Sequence, residues 1–415
     1  MNLLKISWAN LKDKPLSSFL SGLLMTLGIT IISLLLLLNK QLDEQFSRNV
    51  KGIDMVLGAK GSPLQLILSS IYQIDAPTGN IPLEEAERLT RNPMIKTAIP
   101  LSMGDSYQTF RIVGTDKKYV DHFEATVGQG TLFQKELEAT IGARVAEVTG
   151  LKIGDTFSGS HGLDGEGEEH GQAQYKVVGV FNPSNTVIDQ LILTPLSSVW
   201  AIHAHHDEHE SESVEDLEED HDHEHEHDHE HEAEEAREIT SMLIKFRNPM
   251  GMMIARGINN NSKLQAALPS IEINRLFSLL GIGVDTLRGL AVAIMLIAGI
   301  SVFVSLYNSL KERRYEMALM LSMGARRTQL FGMLLLEGLV LSLIGFVLGL
   351  ILSRIGLLLF SMQAEQNFHY SLNDISILPE EWLVLGVAVL IGILAAALPA
   401  LGVYRMNISR TLAEE

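Results

Sequence analysis

Residues 16–38 read LSSFLSGLLMTLGITIISLLLLL, twenty-three positions without one Asp, Glu, Lys or Arg. A bilayer's hydrocarbon core is about 30 Å thick, and a helix rising about 1.5 Å per residue needs about 20 residues to cross it. This stretch is long enough. It is also too long to read as a cleaved signal peptide, it starts close to the basic segment carrying Lys5, Lys12 and Lys14, and no small-residue cleavage site follows it. It reads as a retained membrane anchor. Working outward, three more apolar runs meet the same length test, at 289–310, 331–353 and 382–404. The spans are therefore assigned to 16–38, 287–310, 331–355 and 382–404.

The 46% hydrophobic content of this 415-residue chain is thus concentrated in a few runs, which marks a membrane protein and not a string of soluble domains. The net charge of −18 is concentrated too: residues 207–238 hold 18 acids against one Arg, or −17 of the total. There is no cysteine, so neither disulfides nor thiolate metal ligands can hold any extracytoplasmic part together.

Basic residues near span ends are retained on the cytoplasmic side. Lys5, Lys12 and Lys14 precede the first span, Lys311, Arg313, Arg314, Arg326 and Arg327 lie between the second and third, and Arg405 and Arg410 follow the fourth. The connection 361–381 has no Lys or Arg. The pattern predicts cytoplasmic termini, with 1–15 as an amphipathic lead, 39–286 outside, 311–330 inside, 356–381 outside and 405–415 as an inner tail. Glu337 falls inside the third span, where an ionised carboxylate is costly and functionally suspect. About two turns from the cytoplasmic end, it is read as reaching interfacial water or pairing with Arg326 or Arg327.

Between the first two spans, short β-rich runs alternate with short helical patterns, which predicts an α+β domain. A helix is expected over 81–91 behind Pro82. Strands are expected at 109–113, 175–181, 191–194 and 242–246, and the glycines of 150–155 mark a tight connection into another strand. The fold class is therefore a membrane protein of four transmembrane α-helices with a large α+β extracytoplasmic domain inserted between helices 1 and 2.

Several landmarks in this order carry a resemblance. Ile112-Val113-Gly114-Thr115-Asp116, Ile141-Gly142-Ala143-Arg144-Val145-Ala146 leading to Leu151-Lys152-Ile153-Gly154-Asp155, and Val177-Val178-Gly179-Val180-Phe181 are similar to the MacB-like periplasmic core domain. Asn10-Leu11-Lys12 with Leu27-Gly28-Ile29 is similar to the family's first span, although Pro15 stands where many relatives carry a basic residue. Glu312-Arg313-Arg314-Tyr315-Glu316-Met317-Ala318-Leu319, then Ser322-Met323-Gly324-Ala325-Arg326-Arg327, resembles the cytoplasmic coupling segment of FtsX-like permeases, and Leu398-Pro399-Ala400 with Arg405 resembles the end of their fourth span.

Membership in the FtsX/MacB-like ABC transporter permease family implies an inner-membrane subunit driven by a separate ATP-binding cassette ATPase. It further implies mechanotransmission, pairing as a homodimer or with a homologous permease, and a periplasmic or membrane-fusion partner. The ATPase contact is expected at Arg313, Arg314, Glu316, Gly324 and Ala325. Membrane lipid is a partner and nucleic acid is not. The alternative is a non-transporting, FtsX-like regulator of an envelope hydrolase or sensor kinase. No nucleotide-binding loop is present: Gly58-Ala59-Lys60-Gly61-Ser62 lacks the arc that cradles a phosphate. Nor do a nucleophile, base and orienter cluster, so the chain is not read as an enzyme and has no intrinsic cofactor.

One segment lies outside the family pattern. Residues 200–238 form a His/Asp/Glu-rich insertion with His203, His205, His206, His209, His221, His223, His225, His227, His229 and His231, ten of the chain's fourteen histidines. In the second cluster every other residue is His, so a helix would pair positions four apart and a strand would align all six on one side. Imidazole interleaved with carboxylate, without thiolate, suits Zn²⁺ or a similar divalent ion. The plain physical reading is a disordered, solvated loop too charged to form a core. A third reading is pH sensing, since histidines among carboxylates protonate near neutrality.

Overall fold

The computed structural model describes residue 7 and residues 15–161, 169–202, 237–368 and 375–405. The chain divides into two compact units, Gln45–Phe277, and Met1–Glu44 with Ser278–Glu415.

In chain order the elements are α1 (Pro15–Val50), β1 (Met55–Ala59), α2 (Pro63–Ile67), β2 (Ile81–Pro82), α3 (Leu83–Thr90), β3 (Ile95–Tyr107), β4 (Phe110–Thr115) and α4 (Lys117–His122). There follow β5 (Val127–Gly130), β6 (Glu138–Ile141), α5 (Ala143–Thr149), β7 (Thr156–His161), β8 (Glu169–Phe181), β9 (Leu191–Pro195), β10 (Glu238–Ile239) and β11 (Ser241–Phe246). The last group is α6 (Met252–Asn261), β12 (Leu264–Ala267), α7 (Pro269–Glu312), α8 (Arg314–Ser322), α9 (Arg327–Phe368) and α10 (Pro379–Ala400).

The unit Gln45–Phe277 is α+β. Its main sheet runs β12-β1-β11-β3-β4-β9-β6-β8-β5, with β7 pairing both β3 and β8. Most neighbours are antiparallel, but β4–β9 and β6–β8 are parallel, which requires crossover connections. Successive residues on a strand face opposite sides, and here both sides are covered. Val56 and Leu243 enter one core with Ile99, Val113 and Tyr119. Met55, Leu57, Met242 and Ile244 enter another with Ile81 and Ile258. Strands buried on both faces lose the polar alternation of half-buried strands, and all six residues of β4 are buried.

The sequence expectation of a helix over 81–91 is shortened at its start. Ile81 is fully enclosed and pairs with Ile239 in a two-stranded ribbon, and Pro82 adopts an extended ψ of 128° as the residue that caps α3. Burial of Ile81 overrides the helical spacing. The β8 strand is longer than expected because it pairs along its length with β7, β6 and β5.

In the second unit every regular element among the described residues is a helix, and four helices among the described residues are long and apolar enough to cross a membrane. The α10 helix, at 22 residues, is about 33 Å long and matches a hydrocarbon core. The other three run past that length, to 36, 44 and 42 residues. Lipid tails are as apolar as Leu, so these helices associate through close backbone approach and polar contacts. A Cβ on Gly338 would lie 2.6 Å from the Gly392 carbonyl oxygen and 2.7 Å from the Ala396 Cβ. Gly349 meets Ile29 in the same way, at 2.7 Å. The Ser21 and Ser301 hydroxyls join α1 to α7 at 2.8 Å.

Candidate functional site

The segment 311–330, expected from the sequence to contact an ATPase, is built by two capping motifs that share a turn. At the end of α8, the Gly324 and Ala325 N–H groups donate to the carbonyls of Leu321 and Met320 at 3.1 and 3.0 Å, and Gly324 has φ +98°. This is a Schellman closure, whose left-handed residue is normally glycine. At the start of α9, the Arg326 N–H donates to Gln329 Oε1 at 2.9 Å, half of a capping box. The nine-residue α8 helix is therefore stopped by its own backbone chemistry, and the chain is turned into the next span.

One face of α8 is buried. Met317 and Ala318 pack with Leu310 of α7, Leu330 and Leu334 of α9, and Ala400 and Val403 at the end of α10. Three spans thus meet the short helix at one place. Arg327 adds a hydrogen bond to the Tyr404 carbonyl. The opposite face is open and carries exposed Glu316; Arg314, in the first turn, is exposed as well, and Arg313 heads the helix half-buried. Beside them Tyr315, Leu319 and Met323 are 42%, 45% and 77% exposed. At four-residue spacing these three form one apolar stripe on the helix surface. Reading charges alone passes over this stripe, although its spacing is visible in the sequence. Gly324 has no atom within 4 Å of where a Cβ would stand, so its left-handed turn, and not crowding, requires glycine.

A second polar cluster occupies the opposite end of the bundle. Arg354 of α9 and Glu381 of α10 form an ion pair with Arg354 Nη1–Glu381 Oε1 at 2.5 Å and Nη2–Oε2 at 2.7 Å. The Glu381 side chain is 1% exposed and that of Arg354 15%. Arg354 also donates to the Ser33 hydroxyl of α1 at 2.8 Å and the Ser376 carbonyl at 2.9 Å. Ser33 donates to Glu381 and lies 2.9 Å from the Ser353 hydroxyl. Glu381 Oε2 also accepts the Leu378 N–H at 3.0 Å, capping α10. Both Glu381 oxygens and both Arg354 Nη atoms are hydrogen-bonded, which is how a charge pair is tolerated away from water. The cluster ties α1, α9 and α10 together. Its signal in the sequence was Arg354 at the edge of an apolar run and an acid 27 positions later, which spacing cannot pair.

Glu337 is 2% exposed, which removes the sequence expectation that it reaches interfacial water. Histidines 203, 205, 206, 209, 221, 223, 225, 227, 229 and 231 all lie outside the described residues. Among the described residues no group of three or more His, Asp or Glu side chains is placed to hold a metal ion.

The sequence matches the MacB-like periplasmic core domain over residues 18–221 and the FtsX-like permease C-terminal domain over residues 288–408. The chain belongs to the FtsX/MacB-like permease family. Its order of parts is the one the fold displays, a first span, a core domain, a second span, the short helix α8 and two more spans. Over 127 residues it is 34% identical to the macrolide export ATP-binding/permease protein MacB 2 of Aeromonas hydrophila, a match covering 30% of this chain and 19% of that protein. Two solved structures are also similar. The periplasmic region of MacB from Actinobacillus actinomycetemcomitans is 11% identical, covering 55% of this chain and 95% of that one with a TM-score of 0.32. The extracellular domain of the ABC-type transporter YknZ from Gram-positive bacteria is 12% identical, covering 51% and 98% with a TM-score of 0.30. Likenesses at that level add nothing to the assignment, which rests on the two domain matches.

Proposed function

We propose that this permease is the membrane subunit of an ATP-driven machine of the mechanotransmission type in the bacterial inner membrane, with both termini cytoplasmic. Its ATPase is a separate chain, and its work is done through the extracytoplasmic domain. The observation that carries this reading is α8, whose buried face touches the ends of three spans while its open face presents Tyr315, Leu319 and Met323 beside Glu316, with Arg314 exposed in the first turn. A helix held that way passes a push on one face to several spans at once. The ATPase contact extends from Arg313, Arg314, Glu316, Gly324 and Ala325 to the apolar stripe, because desolvated apolar anchors supply affinity while rim charges mainly set register.

The test is ATPase stimulation by the reconstituted permease. Tyr315→Ser with Leu319→Ser, and separately Arg314→Glu with Glu316→Lys, are expected to abolish stimulation while membrane insertion is retained. Normal stimulation by both double variants would refute the assignment. Reporters at Asn260 and Ser322 are expected to read outside and inside, and reversed readings would overturn the orientation.

The His-rich insertion supports a metal link by its chemistry. Ten imidazoles among carboxylates offer several exchanging sites for Zn²⁺ or a similar ion, and coordination requires neutral imidazole, so affinity falls as pH drops through about 6.5. Deleting 204–232 is expected to remove most Zn²⁺ uptake by the full chain, measured by equilibrium dialysis. Unchanged uptake would reject the insertion as the binding segment.

A further inference from the structure

The extracytoplasmic unit contains a cavity of about 260 Å³ whose lining runs against the acidity of the chain, with Gly52, Lys96, Lys118, Asp121, His122 and Lys245 around it. Strand register explains how Lys245 comes to be there. On β11 and β3, Leu243 faces Ile99 and Lys245 faces Thr97 one step further along. Leu243 and Ile99 belong to the buried core, so Lys245 occupies the next position on a face that is otherwise apolar, and is half-buried there. His122, the last residue of α4, lies against it. Gly52 has φ +86°, and a Cβ there would lie 3.1 Å from His122 Cε1 and 3.2 Å from Lys245 Nζ. The glycine therefore leaves open the point on which an imidazole and an ammonium converge.

Three groups here are unanswered. His122 Nε2 is buried without a hydrogen-bond partner among the described residues. Lys118 pairs with Asp116 at 3.2 Å, but no ion pair holds Lys96 or Lys245 among the described residues. Burial first, and then the charge of Lys245, hold the His122 pKa below its ordinary value, against a hydrogen bond to the Lys51 backbone. Three ammonium groups against Asp121, and against the Asp116 that pairs with Lys118, leave +1 with His122 neutral and +2 with it protonated.

We propose that this cavity is a binding site for a phosphate-type oxyanion, gripped by Lys245 and Lys96 in the field of Lys118, with protonated His122 donating from Nε2. Lysine acts on a phosphate as a mobile point charge, without the bidentate fork of arginine. With His122 protonated, the resulting +2 balances a dianion better than a carboxylate. The volume falls below the roughly 300–1,000 Å³ of drug-sized pockets, so the site takes a headgroup and not a whole large ligand. Anion and proton bind together: filling the site relieves the repulsion between Lys245 and protonated His122. Around that imidazole the charged groups are Lys51, Lys96, Lys118, Asp121 and Lys245. The site is independent of the coupling helix and of any ATPase.

The test uses the full chain in nanodiscs of zwitterionic lipid, with inorganic phosphate uptake measured by equilibrium dialysis at constant ionic strength in chloride. Saturable binding of about one phosphate per chain is expected. It should weaken at least tenfold in Lys245→Gln and in Lys96→Gln, and stay unchanged in Lys135→Gln, an exposed lysine elsewhere on the same unit. Lys96 is exposed, so its variant keeps the test valid should Lys245→Gln fail to fold. Sulfate, whose charge is constant near neutrality, reads the proton linkage: binding should tighten from about pH 7.5 to about pH 6 in the wild type and not in His122→Gln. Two further arms separate the sources. Competition by glycerol phosphate supports a free phosphate ester, and lysine-dependent binding of phosphatidic acid nanodiscs without uptake of soluble phosphate supports a lipid headgroup. Absence of lysine-dependent binding from both sources overturns the proposal.

Discussion

Removing one member of the Arg354–Glu381 pair should harm the protein more than removing both. Glu381 is almost wholly enclosed and holds Arg354 through two contacts of 2.5 and 2.7 Å. Breaking such a pair from one side leaves an uncompensated buried charge, at about 3–5 kcal/mol. Arg354→Met and Glu381→Leu are each expected to fall in that range, so independent effects would sum to at least about 6 kcal/mol. The double variant has no charge left to strand. Its cost is the loss of an acceptor for the Leu378 N–H and for the Ser33 hydroxyl, about 1–2 kcal/mol. The difference, a coupling energy of at least about 4 kcal/mol, is large enough to invert the usual order. The assay is unfolding of the detergent-solubilised chain by dodecyl sulfate, followed by tryptophan fluorescence, with Trp382 adjacent to Glu381 as a local reporter. The double variant should resist denaturant better than either single one. Additive losses would show that the pair is not a coupled unit and would refute the reasoning.

Three further outcomes are expected. Gly392→Val drives a side chain into the Ser342 hydroxyl and towards the Gly338 carbonyl at 2.8 Å, separating α9 from α10 at a cost of about 1–3 kcal/mol, readable in the same unfolding assay. Gly324→Ala meets no atom and so bears only the left-handed backbone penalty, about 1–2 kcal/mol; its expected signature is weakened ATPase stimulation with insertion unchanged. His122 has a depressed pKa in the folded state, so its contribution to stability is present above about pH 6.5 and is lost as pH falls towards the folded value. Thermal unfolding of wild type and His122→Gln from about pH 8 to about pH 5 should therefore converge less steeply on the acid side for the variant, and parallel curves would contradict this.

Local chemistry decided much of this protein in the sequence itself. The runs at 16–38, 289–310, 331–353 and 382–404 are legible because solvation of a backbone in hydrocarbon depends on length and apolarity, both properties of a contiguous segment. The coupling turn is legible for a similar reason: Gly324, followed by Arg326 and Gln329, carries its caps within six residues. Strands such as β4, β9 and β11 fall on short apolar runs with β-branched or aromatic residues. Tertiary structure decided whatever depends on two distant segments meeting. Ile81 leaves the α3 helix because Ile239, 158 positions later, is there to pair with it. Arg354 and Glu381 become a pair only when α9 and α10 pack across their small residues, and Ser33 joins from a third helix. Lys245 reads in sequence as an ordinary polar position on a strand. Its place opposite Thr97, beside His122 and over the space left by Gly52, comes from register and a glycine turn nearly two hundred residues away, and burial, which sets the energy of every charge, belongs to the assembled fold.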